Sequence, residues 1–164
     1  MSYVRYIDRT RDYYLAEGYA KPYQWACFDE VPFTPLAKPL ADSRLALIST
    51  SEIALRTWDD QRLPQEKGEA DNVYSVPTDV PLSDLYSQTH SYDMNATSLA
   101  DVNSFFPVTR LQELAGEGRI GSLAPTAYGV YNAYSQRKTL ETDAPEILRR
   151  CRDEAVDVAL LTPV

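Results

Sequence analysis

Apolar and polar positions along this chain alternate between two kinds of run, one suited to a buried strand and one to an amphipathic helix. The clearest succession lies between Asp101 and Pro125. Val108, Leu111, Leu114 and Ala115 share one face at helical spacing. Pro107 suits the first helical turn, where its missing N–H has no partner to lose. Gly116 and Gly118 can take the left-handed backbone that ends a helix. Ile120 to Ala124 then forms a short run of small and apolar residues between glycine and proline, the pattern of a packed strand.

The same reading extends along the chain. Ser2 to about Glu17 predicts a helix stopped at Gly18. Between residues 19 and 42, Pro22, Pro32, Pro35 and Pro39 stand among aromatic side chains, which forbids a long helix or a central strand. This stretch is expected to be an extended arm that packs its rings across the body of the domain or a second subunit. Arg44 to Thr50 is a near-continuous apolar strand ending in Ser49, Thr50 and Ser51, where a doubly wound sheet places its ligand-contacting loops. Residues 56–72 are polar and predict an exposed excursion, Val73 to Pro77 a shorter strand, and Leu82 with Leu85 a brief helical piece. The tract from Tyr128 to Lys138 resists assignment. Asp143-Ala-Pro-Glu146 has the form of a capping box opening a last helix, with Ile147, Leu148, Cys151 and Ala155 on its buried face. Val156 to Leu161 reads as a final buried strand.

Strands separated by helical segments predict an α/β fold: a mostly parallel open sheet of three to five strands flanked by helices. At 164 residues one domain is expected, with residues 1–42 forming the helix and arm and 43–164 the core.

Composition narrows the function classes. With 24 acidic against 16 basic residues the net charge is −8, which disfavours nucleic acid, since a polyanion is bound through a basic face. No apolar run approaches the roughly 20 residues that span a bilayer, and the start of the chain has no signal-peptide core. A cytoplasmic protein that binds neither nucleic acid nor membrane is expected. There are 12 Tyr against 4 Phe, which suits a subunit interface or a polar cleft, with half-buried packing as the competing reading. Cys27 and Cys151 lack Cys-x-x-Cys spacing and read as packing residues. No His, Cys and carboxylate cluster has metal-ligand spacing, and no glycine-rich phosphate loop is present.

The candidate chemistry lies in the loops. Thr89-His90-Ser91-Tyr92-Asp93 holds the only histidine. His90 suits acid–base work near neutral pH, with Asp93 or Asp101 to orient it, or it is a hydrogen-bonded structural residue. Asp101 and Asn103 either meet polar groups of a substrate or cap the helix that follows. Arg110 either forks onto a substrate carboxylate or pairs with Glu113. These residues alone name no reaction.

Several stretches together resemble the selenoprotein B family of glycine, sarcosine, betaine and D-proline reductases. They include Tyr6-Ile-Asp-Arg-Thr-Arg-Asp-Tyr-Tyr14, Val31-Pro-Phe-Thr-Pro-Leu36, Arg44-Leu-Ala-Leu-Ile-Ser-Thr50 and Thr89-His-Ser-Tyr-Asp93. Asp101-Val-Asn103, Phe106-Pro-Val-Thr-Arg-Leu111 and Gly118-Arg-Ile-Gly-Ser-Leu-Ala-Pro125 carry the most specific part. Ala144-Pro-Glu-Ile147 and Val158-Ala-Leu-Leu-Thr-Pro-Val164 complete it. The resemblance implies reductive cleavage of a carbon–nitrogen bond in a small amino-acid-like substrate. It implies a nucleophilic selenocysteine or cysteine working beside a partner subunit that carries a pyruvoyl group. It makes His90 and Asp93 the catalytic candidates and Thr89, Asp101, Asn103 and Arg110 the substrate-binding ones. In the family, the Leu-Leu-Thr-Pro-Val element resembles a lead-in to a Cys-x-x-Cys or Cys-x-x-selenocysteine motif, and here the sequence stops at Val164. The expectation is therefore part of a larger or split protein, with no cofactor of its own and a cysteine-bearing second chain or subunit beside Val164, in a homo- or hetero-oligomer. The alternative is a non-catalytic interaction subunit whose tyrosine-rich surface binds a partner.

Overall fold

Alternate residues of Arg44–Ser49 (β1) pack into two different clusters, which explains why that segment is apolar almost throughout. Leu45 and Leu47 join one cluster, with Val102, Phe106, Val108 and Leu111. Ala46 joins the other, with Tyr128, Ile147 and Cys151. The computed structural model describes residues 5–21, 27–31, 34–57, 72–90, 92, 94–95, 98–131 and 135–163. The chain divides into two units, Met1–Thr34 and Pro35–Val164.

The first unit contains α1 (Tyr6–Ala16), followed by Gly18 at φ 85°, the left-handed stop its position predicts. Tyr14 meets Tyr13 and Tyr19 edge-on, at centroid distances of 5.6 and 5.3 Å. Pro22, Tyr23, Trp25, Pro32 and Phe33 of the expected arm lie outside the described residues.

In the second unit β1 is the hub of a five-stranded sheet. It runs parallel to β7 (Val158–Thr162), from Leu45 opposite Val158 to Ser49 opposite Thr162. It is also parallel to β5 (Ser122–Leu123) and β6 (Thr126–Val130). Leu45 pairs with both Leu123 and Val158, and Ile48 with both Tyr128 and Leu161, so β5 and β6 take one edge of β1 and β7 the other. β3 (Val73–Pro77) closes the sheet antiparallel to β6. A separate antiparallel pair joins β2 (Ile53–Leu55) to β4 (Leu85–Ser87). The helices are α2 (Val108–Gly116), α3 (Gln136–Lys138) and α4 (Ala144–Asp153). The mostly parallel α/β sheet flanked by helices agrees with the sequence reading.

Several details differ. Pro107 stands at the N-cap of α2 rather than inside it, and Gly118 alone of the two glycines takes positive φ, at 68°. The strand expected over Ile120 to Ala124 shrinks to two residues, because Pro125 has no N–H to continue the ladder. The unassigned tract contains most of β6. Asp143 does not open a helix. Its backbone is already helical (φ −70°, ψ −49°) and its side chain makes no cap bond. The helix begins instead at Ser135, whose hydroxyl accepts the Lys138 N–H at 3.2 Å. It passes from α3 through a π-helical turn, Thr139–Asp143, into α4. Pro145 lacks the N–H for the next helical bond, and the wider turn before it accommodates that loss. The buried face of α4 is narrower than predicted: Ile147 and Cys151 are buried, while Leu148 is 49% exposed and Ala155 lies beyond the helix at φ 52°. Strand β7 is not fully buried either. Among the described residues it pairs only with β1, and Leu161 is 67% exposed.

Candidate functional site

The carboxyl end of β1 gathers most of the polar chemistry of the second unit, where ligands are bound in open parallel sheets. Ser49 is buried, with its Oγ 2.7 Å from Ser51 Oγ and within reach of the carbonyls of Thr162 (3.1 Å) and Phe105 (3.3 Å). The Thr50 N–H donates to the Thr162 carbonyl at 3.4 Å, which ties the ends of β1 and β7 together. Glu52 then turns the chain with φ 51°, a conformation uncommon for a non-glycine residue and found where surrounding structure imposes it. The surrounding structure here is a set of bonds to the next loop. The Gln88 N–H donates to the Glu52 carbonyl at 3.0 Å, and the Ser87 hydroxyl donates to the Ser51 carbonyl.

Two tyrosines form a wall beside this turn. Tyr74 accepts the Ile53 N–H on its hydroxyl at 2.8 Å. Its ring lies against that of Tyr131, with centroids 4.4 Å apart and planes tilted by 36°. Burial pushes both phenols above the usual tyrosine range, and the Glu52 charge adds to the effect. Burial likewise raises the Glu52 carboxyl, and the charge of His90 offsets part of that rise. Glu52, His90, Tyr74 and Tyr131 therefore share one electrostatic neighbourhood. A carboxyl raised in this way stays protonated to higher pH than a solvated one, which suits it to donate a proton.

The predicted site residues fall around this neighbourhood in different ways. Thr89 is buried and donates its N–H to Ser87 Oγ at 3.1 Å, and His90 beside it is exposed. Both line an open depression of about 470 Å³ with Tyr86, Tyr92 and Met94. Asp93 lies outside the described residues. Asp101 accepts the Asn103 N–H at 3.0 Å and so caps the short 3-10 turn Val102–Ser104. Asn103 Oδ1 accepts from the Thr109 N–H (3.3 Å) and hydroxyl (2.9 Å), giving α2 the cap that Pro107 lacks. Arg110 pairs with Glu113 at 2.7 and 2.8 Å on an exposed surface. The Gln88–His90 loop is thus brought to Glu52, whereas Asp101 caps the 3-10 turn, Asn103 caps α2 and Arg110 is engaged by Glu113 on the surface of α2.

A second cavity, of about 530 Å³, opens between α4 and the sheet. Its wall is largely aliphatic, with Ile48, Val130, Ile147 and Leu161 among the lining residues, and it includes Asp143. Asp143 is 2% exposed, and Oδ2 accepts from Asn72 Nδ2 at 2.9 Å. Asn72 Nδ2 also reaches the Tyr131 carbonyl at 3.0 Å. Sequence reasoning missed Glu52, Asn72, Tyr74 and Tyr131. The signal for Glu52 was its position just after the hydroxyl cluster that ends β1.

The model of the glycine/sarcosine/betaine reductase selenoprotein B family matches residues 10–164. The chain belongs to this reductase family. It is 32% identical over 131 residues to the D-proline reductase subunit gamma of Acetoanaerobium sticklandii, a match covering 79% of this chain and 52% of that protein. It is 27% identical over 158 residues to the glycine reductase complex component B subunit gamma of Symbiobacterium thermophilum, covering 89% of this chain and 34% of that one. The chain thus spans about half the length of the first relative and about a third of the second. No solved structure matches it significantly.

The selenoprotein B family implies a redox thiol or selenol, and Cys151 does not fit that role. Cys151 is buried in the α4 cluster, and burial raises its thiol, the reverse of what a nucleophilic thiolate needs. Cys27 is exposed, not the packing residue that its sequence context suggested.

Proposed function

We propose that this chain is a subunit or part of a reductase complex that cleaves a C–N bond in a small amino-acid-like substrate, with the redox cysteine or selenocysteine, and any pyruvoyl group, on another polypeptide. The observation that carries the reading is the meeting of the His90 loop with Glu52 at the carboxyl end of β1. Family membership supports the reaction class. Reductive cleavage takes two electrons and replaces the C–N bond with a C–H and an N–H bond, so the departing nitrogen needs a proton. In this reading, Glu52, raised by burial, holds that proton, and His90 offsets the charge left behind. Thr89 fixes the loop through its bond to Ser87. His90 and Asp93 are the proposed catalytic residues, with Thr89, Asp101, Asn103 and Arg110 proposed to position substrate. The protein is proposed to work in the cytoplasm.

The experiment is amine release by the complex assembled with its redox-bearing polypeptide, comparing the unaltered chain with H90A and E52Q. Assembly is followed by sedimentation. Loss of turnover with assembly intact supports the reading, and unchanged turnover in both variants refutes it. The alternative, a non-catalytic interaction subunit, draws on the exposed leucines Leu148, Leu160 and Leu161. It predicts that substitutions there break assembly while H90A leaves turnover unchanged.

A further inference from the structure

The turn that carries Glu52 is tied down from two sides. On the β4 side, the Gln88 N–H donates to the Glu52 carbonyl at 3.0 Å and the Ser87 hydroxyl donates to the Ser51 carbonyl. The peptide that follows is planar and trans, so the Ile53 N–H points the opposite way, to the edge of β2 that faces away from β4. Among the described residues no strand pairs with that edge, and Ile53 is buried. A buried N–H without an acceptor is costly. Its acceptor is the Tyr74 hydroxyl, 2.8 Å away. Glu52 lies between these ties at φ 51°, a conformation that persists only where its surroundings impose it.

The hydroxyl is itself held in place through its ring. Tyr74 stands opposite Gly129 in the β3–β6 pair, and a Cβ at 129 would lie 1.8 Å from Tyr74 Cζ. Tyr131 packs on the same ring, with centroids 4.4 Å apart. Tyr74 therefore belongs to the five-stranded sheet and bonds to the first residue of the two-stranded one, at the residue next to Glu52. Among the described residues, the titratable groups that face Glu52 are His90 from the loop after β4, Tyr74 of β3 and Tyr131 just beyond β6. Burial keeps both phenols protonated well above neutral pH, so neither brings a charge to Glu52 there. The effect of Tyr74 on Glu52 at neutral pH is one of position.

We infer that Tyr74 is a positioning residue for Glu52: by accepting the Ile53 N–H, its hydroxyl holds the Glu52 carboxyl in the sheltered place from which it delivers a proton. The inference rests on the reductase reading, since it acts through the acid that reading assigns.

The test compares Y74F with the unaltered protein. Phenylalanine keeps the ring against Gly129 and Tyr131 and removes only the acceptor. In the full chain, amide hydrogen exchange at Ile53 is expected to speed up. NMR titration of the Glu52 side chain is expected to move down toward the ordinary carboxylate range, because a loosened turn lets water reach the carboxyl. In the assembled complex, kcat near neutral pH is expected to fall about threefold to tenfold, the factor that one hydrogen bond of typical net strength is worth. The alkaline limb of the pH profile is expected to move to lower pH, opposite to the effect of removing the His90 charge. G129A drives the ring off Ile53 by a different route and is expected to shift the Glu52 titration in the same direction. Circular dichroism checks that each variant folds. The proposal is overturned if E52Q lowers turnover while folded Y74F leaves either the Glu52 titration or the alkaline limb where it was. Should Y74F fail to fold, an unchanged Glu52 titration in folded G129A overturns it. Unchanged turnover in E52Q overturns the reductase reading first, and this inference with it.

Discussion

Tyr74 and Gly129 stand opposite one another in the antiparallel β3–β6 pair, and the tyrosine ring occupies the volume that any side chain at 129 would need. That packing lets the hydroxyl reach past β6 to the Ile53 N–H, one residue beyond Glu52. A glycine in a strand thereby fixes the wall of the candidate site. The pair matters because Tyr131, two residues further along, stacks on the same ring.

Gly129→Ala is therefore expected to be destabilising by about 1–3 kcal/mol, the range for forcing a methyl group into a packed position. Because the methyl meets the tyrosine ring, Tyr74→Ala should absorb much of the cost. The double variant should be more stable than the sum of the two single losses predicts. Urea denaturation of the four proteins measures the coupling, and strict additivity would show that the ring and the glycine do not share this space.

Glu52 gives a pH signature. Its carboxyl is raised in the folded chain relative to the unfolded one, so folding favours the protonated form. The resulting stability is fully present below the unfolded value near 4.5 and is lost as pH rises through the raised folded value. E52Q is neutral at every pH and should flatten that decline, leaving the variant more stable than the parent at pH 7 but not at pH 4. Thermal unfolding across this range is the check, and a variant less stable than the parent at pH 7 contradicts the burial argument. A gain in stability with a loss of turnover is the pattern expected when strain is retained for function.

Asn103 separates capping from substrate contact. Its side-chain oxygen caps α2 through Thr109, so Asn103→Ala should cost about 1 kcal/mol of stability. Asn103→Asp keeps the acceptor and removes the amide donors. If the residue only caps, the aspartate variant keeps both stability and turnover. If it binds substrate through its amide, stability survives and KM rises.

The fold was legible where one periodicity extended over enough residues. β1, β3, α1 and α2 were all visible in that way, as was the parallel arrangement. The failures share a cause, which is that tertiary bonds outweighed a local pattern. Asp143 and Glu146 match a capping box, yet the Asn72 amide, 71 positions away in sequence, draws the carboxylate aside. Glu146 instead pairs with Arg149 and Arg150, both at 2.7 Å, and those guanidinium groups hold it down at about 2. β2 and β4, at three residues each, carry too little pattern to stand out. The candidate site was half legible. The Thr89–His90 loop and the hydroxyls ending β1 were visible, but Glu52 reads as an ordinary surface residue until the fold sets it beside His90 and two tyrosines.

The central claim is that Glu52 and His90 form one acid–base site in a C–N-cleaving reductase complex. The most direct measurement is the pH profile of turnover by the assembled complex, read as ammonia released from glycine or as the primary amine formed when the ring of D-proline opens. For whichever is turned over, E52Q is predicted to lower kcat and to remove the alkaline limb that deprotonation of this carboxyl imposes, with assembly unchanged. H90A is predicted to move that limb to higher pH, because the histidine charge no longer favours the ionised carboxylate. A profile identical in E52Q and the unaltered complex would contradict the account.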